Sequence, residues 1–190
     1  GPYGDFHYAS NLITHMRKKS LSEQQCPIAR SLDHVGEWWS LLIIRDAMHG
    51  LSRFDEFQKS LGISPNILTR RLTALVEGGL MEKRLYSERP PRYQYALTPR
   101  GQDLSAVLIA LLTWGNNHLA PEGASIQLRD AQTGELVEPM LVDRRTGQEI
   151  SPSRHTLVPG PAASDGMKQR LCHANGVMSG DNPSKQESES

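Results

Sequence analysis

The stretch SPNILTRRLTALVEGGLMEKRLYSERPPRYQYALTP, residues 64 to 99, decides the fold. Its opening Ser64-Pro65 joins a capping hydroxyl to a proline, which is tolerated at the first helical position because no N–H hydrogen bond is made there. Leu68, Leu72, Leu75 and Val76 follow at the spacing of one inward helical face. The opposite face carries Pro65, Asn66, Thr69, Arg70 and Thr73, and Gly78-Gly79 stops the helix. The period then changes to two. Met81, Lys83 and Leu85 alternate with Glu82, Arg84 and Tyr86, SERPPR interrupts, and Tyr93, Tyr95 and Leu97 resume. That pattern predicts a hairpin with its tip at Ser87 to Arg92.

Upstream, Gly62-Ile63 predicts a tight turn after a helix over RFDEFQKSL, where Phe54, Phe57 and Leu61 share a face and Ser52 is the expected N-cap. The run VGEWWSLLIIRDAM, Val35 to Met48, is apolar nearly all round and predicts one core helix ended by Gly50. Cys26-Pro27 opens a shorter helix with Ile28, Ala29 and Leu32 on its apolar side. Downstream, Thr98-Pro99 caps a last helix from Pro99 to Leu119. Its Leu104, Val107, Leu108, Leu111, Leu112 and Trp114 form a face too wide for one small domain to cover, so it asks for a partner helix. The expected fold is mainly α with a small antiparallel β wing, a winged helix-turn-helix dimerised through terminal helices. The expected divisions are an N-terminal arm at 1–24, this domain at 25–120, a small extension at 121–159 and a disordered tail at 160–190.

The 190 residues hold 37% hydrophobic and 6% aromatic side chains, low enough that part of the chain should not pack into a core. Net charge is zero, but residues 51 to 100 carry nine Lys/Arg against five acids while residues 121 to 190 carry seven against ten. A basic middle masked by an acidic tail suits a domain that meets phosphate. No run approaches a membrane span, and two cysteines, Cys26 and Cys172, make no disulfide framework; a cytoplasmic protein in a reducing compartment is expected.

Helix, tight turn, helix and an arginine-tipped wing are shapes that fit duplex DNA. Arg70 can fork to guanine and Asn66 can read adenine in the major groove, with Pro65 and Thr73 on the same face. Ser64, Thr69 and the helix N-terminus can bind phosphate. Arg89 and Arg92 can lie along the backbone or enter the minor groove. No nucleophile elbow, phosphate loop or zinc-protease motif is present, so an enzyme is not expected. The rival reading is a winged-helix module that binds protein through its terminal helix.

These residues, from Cys26 to Leu119, resemble the HxlR family of winged-helix regulators, relatives of the MarR group. The likeness lies in Cys26-Pro27, Gly36 through Trp39 with Leu41-Leu42, Arg53-Phe54, Ser64 through Leu72, Gly79-Leu80, Pro91-Arg92-Tyr93 and Tyr95 with Leu97-Thr98. The resemblance implies a homodimer held by terminal helices, here through Leu104, Val107, Leu108, Leu111 and Leu112, that binds an inverted repeat and represses transcription. One departure is Glu37-Trp38-Trp39, where the family usually has Gly before a Lys-Trp pair, which removes a candidate backbone contact. The tail resembles a metal ribbon seen in some members, but Thr133-Gly134 and Thr146-Gly147 stand where Cys-Gly pairs would, so no metal and no cofactor are expected.

Cys26 at a helix start is a candidate redox sensor by that resemblance, because a helix N-terminus stabilises a thiolate; its plainer reading is a small packed residue. Trp38, Trp39, Met48 and Trp114 are candidate walls of a pocket for a small aromatic effector, and otherwise core. The seven histidines are scattered singly and read as solvated or structural.

Overall fold

The structure is a computed structural model that describes the backbone of residues 25–178 and the side chains of residues 25–172. The predicted N-terminal arm lies outside the described residues. Two compact units meet in sequence at Gln127/Leu128, slightly beyond the predicted boundary at 120.

In the first unit α1 (Pro27–Val35), α2 (Trp38–Met48), α3 (Phe54–Leu61) and α4 (Pro65–Glu77) precede β1 (Met81–Glu88) and β2 (Pro91–Leu97), followed by α5 (Pro99–Gln102) and α6 (Ser105–His118). The two strands form one antiparallel sheet, with Met81 opposite Leu97 and Leu85 opposite Tyr93. Helix α2 is the hub, packed against α1, α3, α4, α6 and β2. Ile43 and Ile44 from α2, Phe57 from α3, and Leu68, Leu72 and Leu75 from α4 are sealed in one core with Val35, Ile63, Leu80 and Met81. Each such side chain stabilises the fold by about 1.5–3 kcal/mol relative to exposure. The core therefore fixes the inward face of α4, and with it the outward one.

Local punctuation behaves as its chemistry demands around α4. Gly62 takes a left-handed φ of 61°, which an L side chain adopts only at a cost. Ser64 Oγ then accepts the Ile67 amide at 3.4 Å. At the other end Gly79 is again left-handed, and its carbonyl accepts the Thr98 hydroxyl, which ties the end of α4 to the end of β2.

Five boundaries differ from expectation, each for a physical reason. The run from Val35 to Met48 is two helices, because the backbone of Glu37 is extended and separates α1 from α2. Ser52 is not the cap of α3. Its carbonyl accepts the Tyr95 amide, Arg53 bridges to Gln94, and the helix begins one residue later with Glu56 accepting the Arg53 amide. The wing strands run further than predicted, leaving Arg89-Pro90 between them and placing Arg92 within β2 opposite Ser87. The helix predicted over Pro99–Leu119 breaks at Asp103-Leu104 into α5 and α6. In the segment expected to be disordered, Asp165–Met178 form a helix, α7, whose start is capped by Ser164 Oγ accepting the Met167 amide.

Ahead of α7, the second unit is built from turns. Asp130 Oδ1 accepts the Gln132 and Thr133 amides, and Thr133 Oγ1 accepts the Glu135 amide. Thirteen residues on, Asp143 accepts the Arg145 amide and the Thr146 hydroxyl, and Thr146 Oγ1 accepts the Gln148 amide. Gly134 and Gly147 hold left-handed φ of 77° and 71°, and the bridges Arg129–Leu136 and Val142–Glu149 close the two turns. The Thr-Gly pairs are thus turn residues, stapled by a carboxylate and a hydroxyl.

Candidate nucleic-acid interface

Leu68, Leu72 and Leu75 at zero to one per cent exposure pin α4 to the core, so the face opposite them is presented outward. Ser64, Pro65, Asn66, Thr69, Arg70 and Thr73 are all exposed on it. The structure brings together every helical residue assigned to DNA contact from the sequence. Two of them are partly committed already. Thr69 donates its hydroxyl to the Pro65 carbonyl at 2.8 Å, which leaves its oxygen as an acceptor, whereas Ser64 accepts from Ile67 and keeps its proton to donate.

The cations of this region sort into two sets. Arg71, next in sequence to Arg70, turns away to Glu37 with Nη1 2.6 Å from Oε2. Arg84 on β1 holds Glu82 at 2.6 Å, and that hydrogen bond, then its charge, keeps the Glu82 carboxyl below the usual range. Arg53, Arg70, Arg89 and Arg92 have no carboxylate within ion-pair distance among the described residues. Like Lys59, Lys83 and Arg100, they are left to meet an outside anion. Arg53 entered the sequence reading only as charge and as part of a motif; its place just before α3 was the signal that it would stand beside the wing.

Glu37 also accounts for the departure from the family pattern. Its carboxylate ties the start of α2 to α4, a contact that glycine at this position cannot make.

The remaining candidates are spread out. Leu104 and Leu108 pack on the core of their own unit, Leu112 is half-buried, and Val107 and Leu111 are exposed with Trp114 on α6. Trp39 and Met48 pack against the core, Trp38 is 75% exposed and meets Trp39 edge-on at 6.2 Å, and Trp114 lies beside His118. Cys26 occupies the N-cap of α1 with extended backbone, half-buried, and is in no disulfide. Among the described residues no group of His, Cys, Asp and Glu is placed to hold a metal ion, and no helix is long and apolar enough to cross a membrane.

Comparison with known proteins places this geometry in a family. Residues 34–123 match the profile described as HxlR-like helix-turn-helix. An uncharacterized HTH-type transcriptional regulator of Mycobacterium tuberculosis is 41% identical over 145 residues, 76% of this chain and 89% of that protein. Among solved structures, the candidate transcription factor PA1374 of Pseudomonas aeruginosa is 54% identical, with a TM-score of 0.56 over 77% of this chain and 100% of that one. The candidate transcription factor PA1607 is 36% identical with a TM-score of 0.67, covering 74% and 99%. Together with the winged-helix architecture, these likenesses make this chain a member of the HxlR-like helix-turn-helix family, a transcriptional regulator and not an enzyme.

Proposed function

We propose that the protein binds an inverted repeat in duplex DNA as a homodimer and represses transcription from it. The observation that carries the reading is the exposed row on α4, Ser64, Asn66, Thr69, Arg70 and Thr73, backed by three leucines that fix its direction. Arg70 forks to a guanine, Asn66 reads an adenine, Ser64 donates to a phosphate, and Arg89 and Arg92 hold the strand beside the wing. Val107, Leu111 and Trp114 on α6 supply the apolar face for the second copy, which sets two reading helices about 34 Å apart on the duplex. The repressive sign follows the family resemblance.

The test is selection of duplexes from a randomised pool, followed by affinity measurements at several salt concentrations. The selected site is a near-palindrome whose affinity falls steeply with salt. Arg70→Ala weakens the selected site by about 1–3 kcal/mol and relaxes base choice at one position per half-site. Unchanged binding by Arg70→Ala removes the reading face proposed here, and a salt-insensitive contact with no selected site favours a protein-binding module. Repeating the titration after a mild thiol oxidant tests regulation through Cys26, at the N-cap of α1.

A further inference from the structure

An open cleft of about 340 Å3 lies between the wing and the first turn of α3, lined by Arg53, Phe54, Asp55, Tyr86, Arg92 and Tyr93. It is built by long-range pairing. Ser52 and Arg53 run alongside β2, and a register shift between Leu85 and Ser87 interrupts the strand alternation at Tyr86. The Arg53 guanidinium lies 4.7 Å over the Tyr86 ring, and Lys83 lies 4.2 Å over the Tyr93 ring. Stacking restrains the Arg53 fork while leaving its N–H edge open to bond an anion.

Two arginines line this cleft with one carboxylate, Asp55, and a third cation stands on its tyrosine wall. Neither Arg53 nor Arg92 has a carboxylate within ion-pair distance among the described residues, although Arg45, Arg71 and Arg84 of the same unit each have one. Like charges drawn into one concavity repel unless an anion is added, and the tyrosine hydroxyls can supply further donors to it. We infer that the Arg53–Tyr86–Arg92 cleft seats a single backbone phosphate of the bound duplex, so that Arg53 and Arg92 grip one phosphate together. This rests on the DNA-binding reading above and adds to it a seat on α3 and the wing, apart from the base-reading row of α4. A phosphodiester suits the cleft because it carries one negative charge and accepts a forked pair of N–H bonds.

The experiment measures affinity for a selected duplex against salt concentration for the wild type, Arg53→Gln, Arg92→Gln and the double variant, with Lys59→Gln at the far end of α3 as a control. Unchanged thermal unfolding of the free variants shows that the fold is kept. Each single variant is expected to weaken matched and mismatched duplexes alike, about tenfold, as loss of a charge-assisted phosphate contact does. The double variant should lower the salt slope by about 0.9, the value of one phosphate and not of two. Lys59→Gln should keep the wild-type slope. Unchanged affinity in Arg53→Gln, a slope loss worth two phosphates in the double variant, or an equal loss in Lys59→Gln overturns the shared seat while leaving DNA binding in place. Absence of salt-sensitive binding by the wild type overturns the DNA reading itself, and this inference with it.

Discussion

Replacing Glu37 with alanine is expected to destabilise the protein more than removing the arginine it holds. The Arg71–Glu37 contact is 2.6 Å, and the two side chains are 20% and 36% exposed. Two unit charges about 4 Å apart attract by about 4 kcal/mol at an effective dielectric near 20, before desolvation and side-chain ordering are subtracted. Fully exposed pairs retain less than about 1 kcal/mol, and stranding one member of a buried pair costs about 3–5 kcal/mol. This half-buried pair lies between, with a coupling of about 1.5 kcal/mol. Arg71 Nε is already buried without a hydrogen-bond partner, so in Glu37→Ala the guanidinium keeps its desolvation cost and loses its compensation. Glu37→Ala should therefore cost about 2 kcal/mol, and Arg71→Ala about half of that. The melting temperature of Glu37→Ala should fall by roughly 8 °C, at about 4 °C per kcal/mol for a domain near 100 residues. Urea denaturation of the two single variants and the double variant closes the cycle. A coupling below about 0.3 kcal/mol, or Arg71→Ala worse than Glu37→Ala, refutes the argument that this pair holds α4 in place.

Leu72→Ala, at a fully buried core position on α4, should cost about 3–5 kcal/mol in the same assay because the cavity it leaves is walled by other core side chains. Gly62→Ala forces a side chain into left-handed backbone and should cost about 1–2 kcal/mol, although space is open around it. In the second unit, the Asp143 carboxyl is held below its ordinary value by the Arg145 amide first, then by the Thr146 hydroxyl, with the His155 charge adding to both. Its contribution to the turn is present above the unfolded aspartate value and is lost as pH falls through the lower folded one. Carboxyl NMR should find Asp143 titrating at lower pH than in Asp143-containing peptide, and Thr146→Val should move it upward.

The outward face of α4 was legible because it follows from a local rule. Three leucines at helical spacing leave only one side for Asn66 and Arg70, and no distant contact alters that. Ser52 was misread for the converse reason: a serine before an amphipathic run looks like a cap, but its carbonyl is taken by Tyr95, 43 residues away, and the strand pairing wins. The break at Gly36-Glu37 was hidden inside a run read as one apolar helix, since Glu37 takes extended backbone where its carboxylate meets Arg71 of another helix. The wide face of the last helix was read as one surface, yet Leu104 and Leu108 turn to their own core while Val107 and Leu111 do not. The segment after Gly160 lacks an apolar stripe, and its helix start was carried by Ser164 and Asp165, a signal that polarity concealed. The Arg53 cleft joins residues from three segments, so composition alone pointed to its charge and not to its shape.

The segment at Ser52 and Arg53 has a mechanical meaning beyond its hydrogen bonds. It connects the buried hub helix, through the left-handed Gly50, to a strand-like tie on β2, and then turns directly into α3. The wing is consequently geared to the interior and cannot swing as a free flap. A displacement of the hub by even a fraction of a turn would pull one peptide that is fastened to the wing on one side and to a helix start on the other. A shift at the core of this regulator therefore has a short drive shaft to the wing.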